Sequence, residues 1–241
     1  MKKSQLIYQY IREQGAVSKQ DIVIGLGLSL PTITQNLNNL AELGLIDTSK
    51  KISNTGGRNA TAYSYIEKAR YAVGLYLNRH HINCVAVDLS GNVISLIRVR
   101  ENFDLNDDNY LRKIGETVEE VKKDTGLSDD RFLGVGIAVQ GLISDDGERV
   151  TYGLTLNFTG VTRADIAKYI PYHNRLFHDS AAAGYAEVWD RNDLDDAFYL
   201  SLSNSVGGAV IVANKIFEGE RRKSGEIGHM TIIPKAGDRC Y

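Results

Sequence analysis

Apolar positions recur at helical spacing three times within the first 45 residues, and strand-like runs follow. Leu6, Ile7, Tyr10 and Ile11 lie about one turn apart, which predicts a helix over 3–14 that Gly15 ends. Ser18-Lys19-Gln20-Asp21 reads as a helix start, with Ser18 as the cap and Asp21 in the first turn. Ile22, Val23 and Leu26 supply the apolar face of a short second helix, and Gly27 allows a tight turn. Ser29 predicts the cap of a third helix, with Pro31 in its first turn. Ile33, Leu37 and Leu40 share one face of that helix, and Gly44 stops it. Leu45-Ile46 and the alternating TAYSYI then flank KKISNTGGRNA, which predicts two strands joined by a basic loop.

From residue 71 the pattern changes. YAVGLYL, INCVAVDL and VISLIRVR read as three successive strands with tight turns. Residues 106–125 read as helical, and FLGVGIAVQGLI as a buried strand ending at a Gly turn. Residues 161–169 and 180–189 predict helices, while AFYLSLS and GAVIVANKIF predict strands. This mixture argues for an α/β layered fold.

Composition narrows the class. The 241 residues suffice for one or two domains with a real core. No run of about 18 apolar residues signals a membrane-spanning helix. The opening MKKSQLIYQYIREQG begins basic like a signal peptide, but Gln9, Arg12 and Glu13 break its apolar stretch. Two cysteines, Cys84 and Cys240, exclude a disulfide framework and suit a reducing cytoplasm. The net charge of -2 is unevenly spread. Residues 1–70 carry nine Lys/Arg against five Asp/Glu, and the remainder nineteen against twenty-five. A basic head on an acidic body predicts that only the head touches nucleic acid.

The third helix supplies the candidates for reading bases: Ser29, Pro31, Thr32, Thr34, Gln35, Asn36 and Asn39. Short polar side chains can approach base edges in the major groove, and Gln or Asn can bond adenine in a bidentate way. Lys50, Lys51, Gly57 and Arg58 belong to the basic loop, where Arg58 could enter a narrow minor groove. An ordinary solvated helix face and a hairpin turn use the same residue types. The tight turn before the helix and the basic ribbon after it favour contact with double-stranded DNA.

GAVSKQDIVIGLGLSLPTITQNLNNLAELGLI, with GGRNATAYSYI after it, resembles the DNA-binding domain of ROK-family repressors. The likeness continues through nearly all of the chain. ROK groups sugar-responsive repressors with sugar kinases. The resemblance implies a winged helix-turn-helix over 1–70 and an actin-like ATPase (ribonuclease H-like) ROK domain after it. The first lobe would cover 71–190, and 191–241 would begin an incomplete second lobe. It also implies a cytoplasmic homodimer or higher oligomer on a palindromic operator, released by a sugar or sugar phosphate.

Three stretches resemble the family's sugar site. They place Asn157 in LNFTG, Asp179 in HDSAAAGYAE, and Glu226 with His229 in SGEIGHM. Asp179 aligns with the kinases' catalytic Asp, while His178 replaces the usual Asn. Such side chains pair with sugar hydroxyls as donors and acceptors, and in a kinase the Asp takes the proton of the attacking hydroxyl. Taken alone, Asp179 could serve the helix dipole, and Glu226 with His229 could form a surface i,i+3 pair. Glu187 reads as a solvated helix residue.

The phosphate loops depart from the family. Tyr76-Leu77-Asn78-Arg79-His80 stands where kinases carry Asp-x-Gly-Gly-Thr, and Ser203-Asn204-Ser205-Val206-Gly207-Gly208 where they carry Gly-Thr-Gly-x-Gly-Gly. Both losses argue against ATP and against an enzyme. The family's structural zinc uses one His and three Cys. Here His229 and Cys240 supply half of such a site, so zinc would need cysteines from a longer chain. Cys84 reads as a small buried hydrophobe. The alternatives to a sugar-released repressor are a divergent ROK sugar kinase and a regulator gated by a protein partner.

Overall fold

The computed structural model describes residues 2–52, 60–191, 194–202, 205–220 and 222–230. The chain divides into two compact units, 1–70 and 71–241. Among the described residues, no helix is long and apolar enough to cross a membrane.

The first unit comprises α1 (Lys3–Gln14), β1 (Val17–Ser18), α2 (Lys19–Leu26), α3 (Leu30–Glu42), β2 (Ile46–Asp47), β3 (Lys51–Ile52) and β4 (Ala60–Tyr65). The three helices follow the predicted periodicity. Ser18 and Asp21 form a reciprocal cap at the start of α2: Asp21 N donates to Ser18 Oγ at 3.2 Å, and Ser18 N donates to Asp21 Oδ2 at 2.8 Å. The Ser18 hydrogen bonds hold the Asp21 carboxyl below its ordinary value. β4 is the hub of the sheet and pairs antiparallel with β1, β2 and β3. Ile7, Ile11, Ile22, Ile33 and Leu37 are buried together with Val17, Leu40 and Ile46. Burying each Leu or Ile contributes about 1.5–3 kcal/mol. This shared core gives short helices a stability they lack alone.

The second unit begins with the meander β5 (Tyr71–Leu77), β6 (His81–Asp88) and β7 (Val93–Arg100). Then come α4 (Asp108–Asp124), β8 (Phe132–Val139), the short pair β9 (Leu142–Ile143) and β10 (Val150–Tyr152), and α5 (Arg163–Ile166). They are followed by β11 (Asn174–His178), α6 (Asp179–Asp190), β12 (Ala197–Leu202), β13 (Val206–Val212) and β14 (Lys215–Phe217). The main sheet has the order β11-β8-β5-β6-β7. β8 runs parallel to β5, and β11 parallel to β8. Tyr71, Val73, Leu75 and Leu77 alternate inward along β5, in one core with Ile114, Val118 and Val121 of α4. Cys84 belongs to that core, and burial pushes its thiol up to about 12. β12, β13 and β14 form a separate antiparallel sheet against α6.

Two local readings need correction, and one strand has no counterpart in the sequence pattern. The helix predicted over 161–169 shrinks to α5, which Thr162 and Asp165 cap and whose exit leads to Pro171. GAVIVANKIF is not one strand: Ala213 and Asn214 adopt left-handed φ of 50° and 57° and turn it into the β13–β14 hairpin. β11 (NRLFH) carries too short and polar a pattern to read as a strand, yet it closes one edge of the parallel part.

Candidate functional site

Ile33, Leu37 and Leu40 fix the rotation of α3 by facing the core. Pro31, Gln35, Asn38 and Asn39 are therefore exposed, and Thr32, Thr34 and Asn36 are half-buried at the flanks. Asn38 was absent from the sequence-based candidates, although it lies three residues after Gln35 and so on the same face. The Ser29 hydroxyl sits 2.9 Å from Thr32 Oγ1 and caps no backbone group, contrary to its expected role. Asn36 Nδ2 donates to Thr32 O at 2.7 Å, so that amide is engaged with its own helix. Lys50 and Lys51 are exposed, and Lys51 Nζ donates to Thr61 Oγ1 at 3.1 Å across β3 and β4. Gly57 and Arg58 lie outside the described residues.

In the second unit, four of the five expected sugar-site residues converge. His178 ends β11 and Asp179 opens α6, so the strand-to-helix junction presents both. Glu226 and His229 come from the segment 225–230, which contains a 3-10 turn at Ile227–His229. His178 Nε2 lies 3.5 Å from Asp179 Oδ1 and 3.5 Å from Glu226 Oε1. Glu226 Oε2 lies 3.7 Å from His229 Nε2. These separations exceed good hydrogen bonds, which leaves donors and acceptors for a ligand. The side chains of His178, Asp179 and Glu226 are 19–26% exposed, so they are accessible without being fully hydrated.

Close backbone packing holds Glu226 and His229 in place. A Cβ at Gly225 would lie 2.0 Å from the Gly208 carbonyl oxygen, and one at Gly228 2.3 Å from that of Val206. Only glycine lets this segment press onto β13. Just upstream, Arg222 pairs with Glu218 at 3.3 Å and donates to Asp145 O at 3.1 Å, anchoring the approach to Gly225. A cavity of about 150 Å³ adjoins the cluster, bounded by Arg175, His178, Tyr185, Glu218, Arg222 and Glu226.

Asn157 is exposed, has a left-handed φ of 54°, and lies in a turn six residues before α5. None of the contacts described for the four clustered residues includes it. Cys240 lies outside the described residues, and among those described no group of three or more His, Cys, Asp or Glu could hold a metal ion.

The turn after β5 is closed on itself. Asn78 Oδ1 accepts from His80 N at 3.1 Å and His81 N at 2.9 Å. Those N–H groups are consumed within the turn. Two side chains that the sequence pattern does not single out, Tyr76 and Gln140, meet at the carboxyl ends of β5 and β8. Tyr76 is the penultimate residue of β5, and its hydroxyl accepts from Gln140 Nε2 at 3.2 Å. Burial, and then the Asp179 charge, raises the phenol's pKa.

A mixed α/β domain with a polar cluster at the carboxyl ends of its parallel strands, preceded by a small helical unit, is the class these features define. Residues 72–241 match the model of the ROK family, and the chain belongs to that family. It is 24% identical to the xylose repressor of Bacillus subtilis over 94% of this chain and 59% of that protein. It is 23% identical to the DNA-binding transcriptional dual regulator NagC of Escherichia coli over 99% of this chain and 59% of that protein. The chain therefore spans about 59% of the length of these relatives. Among solved structures, a ROK family transcriptional regulator described as a homolog of the E. coli MLC protein superposes with a TM-score of 0.78 at 20% identity. That match covers 99% of this chain and 61% of the other. A ROK glucokinase from Streptomyces griseus, solved with glucose and AMPPNP, has a TM-score of 0.57 at 18% identity, covering 68% and 51%. The fold is the mixed α/β fold that ROK regulators and kinases share.

Proposed function

We propose that the protein is a sugar-responsive DNA-binding regulator in which the first unit is a winged helix-turn-helix and the second a non-catalytic sugar sensor. The observation that carries this reading is the meeting of His178, Asp179, Glu226 and His229, with contacts of 3.5–3.7 Å left open to a ligand. Carboxylates accept from sugar hydroxyls, and imidazoles complement them as donors or acceptors.

The exposed face of α3, with Lys50 and Lys51 after it, supports DNA binding by the first unit. Pro31, Gln35, Asn38 and Asn39 present the base-reading surface, and Thr32 and Thr34 border it. A homodimer would place two such helices on a palindromic operator. Sugar binding lowers operator affinity if the sugar prefers the state that binds DNA poorly.

A kinase role is disfavoured by the same geometry. Phosphate transfer needs free backbone N–H groups around the phosphates. In the turn after β5, Asn78 takes two of them. Asp179 then serves as an acceptor for a ligand hydroxyl.

Thermal melting with D-xylose, D-glucose, N-acetyl-D-glucosamine and their phosphates tests the reading. A binding sugar at about 100 times its Kd stabilises by roughly 2.7 kcal/mol. At least one sugar raises the melting temperature of the wild-type protein but not that of Glu226→Gln. A panel that shifts neither protein, or both equally, refutes the assignment.

A further inference from the structure

The three parallel strands end side by side, and each delivers a polar side chain to that edge. Tyr76 and Leu77 of β5 pair with Ala138 and Val139 of β8, and Val139 pairs with His178 of β11. Gln140 directly follows β8, and Asp179 directly follows β11. In open α/β sheets, ligands bind outside the carboxyl ends of the strands. Gln140 Nε2 donates to the Tyr76 hydroxyl oxygen at 3.2 Å, which fixes the phenol and leaves its proton to be given elsewhere. Asp179 Oδ1 already accepts from Ser180 N at 2.8 Å, so its other oxygen is the one to offer a ligand.

We propose that Tyr76 is a ligand-binding residue of this site, donating its hydroxyl proton to a ligand oxygen that also donates to Asp179, with Gln140 as its positioning residue. The proposal rests on the sugar-sensor reading and sharpens its ligand. An oxygen that accepts from a phenol while donating to a carboxylate must be a hydroxyl. A carbonyl has no proton to give, and a phosphate would face the Asp179 charge. The ligand therefore presents a free hydroxyl here, and any phosphate it carries lies elsewhere. A phenol, with an ordinary pKa of about 10, carries its proton at neutral pH, as donation requires.

The test is calorimetric titration of the full chain with whichever sugar of the panel raises its melting temperature most, and with the mono-deoxy analogues of that sugar. Tyr76→Phe keeps the ring and removes only the hydroxyl. It is expected to bind the parent sugar about tenfold or more weakly, the loss typical of a hydrogen bond in a charged network. It is also expected to bind one deoxy analogue as the wild type does. If Tyr76→Phe does not fold, Gln140→Met reads the same contact, with several-fold weaker binding confined to sugars that retain that hydroxyl. Parent binding unchanged in Tyr76→Phe, while Asp179→Asn abolishes it, overturns the Tyr76 assignment and leaves the sugar reading standing. The same loss for every analogue also overturns it. A wild type that no sugar stabilises overturns both.

Discussion

Replacing Gly225 with alanine would place a Cβ 2.0 Å from the Gly208 carbonyl oxygen and 2.8 Å from its carbon. Ordinary carbon–oxygen contacts begin near ~3.3 Å, so one backbone must retreat by more than about 1 Å. Both partners are main chain, so no rotamer change relieves the clash. Overpacking of this kind costs about 1–3 kcal/mol. At roughly 2–4 °C per kcal/mol for a protein of this size, melting falls by about 2–12 °C. The displaced residue next in sequence is Glu226, whose 3.5 Å and 3.7 Å approaches to His178 and His229 then open. Losing a hydrogen bond to a carboxylate costs about 1.5–3 kcal/mol, or roughly 10–150-fold in sugar Kd. Differential scanning calorimetry and sugar titration of the full chain measure both effects. A Gly225→Ala protein that melts and binds sugar like the wild type refutes the idea that backbone contact with β13 positions Glu226.

Three further outcomes follow from the same geometry. Gln35→Ala and Asn38→Ala each lose about 1–3 kcal/mol of discrimination between an operator and a single-mismatch variant, measured by fluorescence anisotropy, whereas equal loss on all DNA refutes base reading by α3. Asp108, bonded by Lys168 at 2.6 Å and by Tyr169 at 2.8 Å, is held at about 2 by those hydrogen bonds. Its folded value is below the ordinary 3.8, so its contribution is present above that value and lost as pH falls toward 2. Asp108→Asn flattens that part of the acid-unfolding curve, and an unchanged curve contradicts the pairing. In a Cys240→Ser background, Cys84 stays unlabelled by a thiol reagent at pH 8 until the protein unfolds, because burial pushes its thiol up to about 12. Prompt labelling of the native protein would contradict that burial.

Long periodic segments were the legible part of this fold. α1, α3, α4 and the β5–β6–β7 meander each repeat their pattern over seven residues or more, so packing and periodicity agree. β1 has two residues and β11 five, too few for alternation to stand out, and their existence depends on partners distant in sequence. Motif likeness brought out His178, Asp179, Glu226 and His229, which meet in space. It also named Asn157, which lies in an exposed turn with left-handed φ. Asn38 was legible from its i+3 relation to Gln35. Tyr76 and Gln140 were not, because strand order rather than sequence spacing brings them together at the strand ends that lead to Asp179.

In the proposed mechanism a sugar held at His178, Asp179, Glu226 and His229 weakens DNA binding by the first unit. Anisotropy titration of operator DNA, with and without the stabilising sugar, tests it for the wild type and for Glu226→Gln. Typical coupling energies of about 1–3 kcal/mol correspond to roughly 5–150-fold changes in affinity. The account predicts such a fall in wild-type operator affinity when sugar is added. Glu226→Gln binds the operator as tightly as the wild type but keeps its grip with sugar present. Operator affinity that no bound sugar changes, or equal release of both proteins, would contradict it.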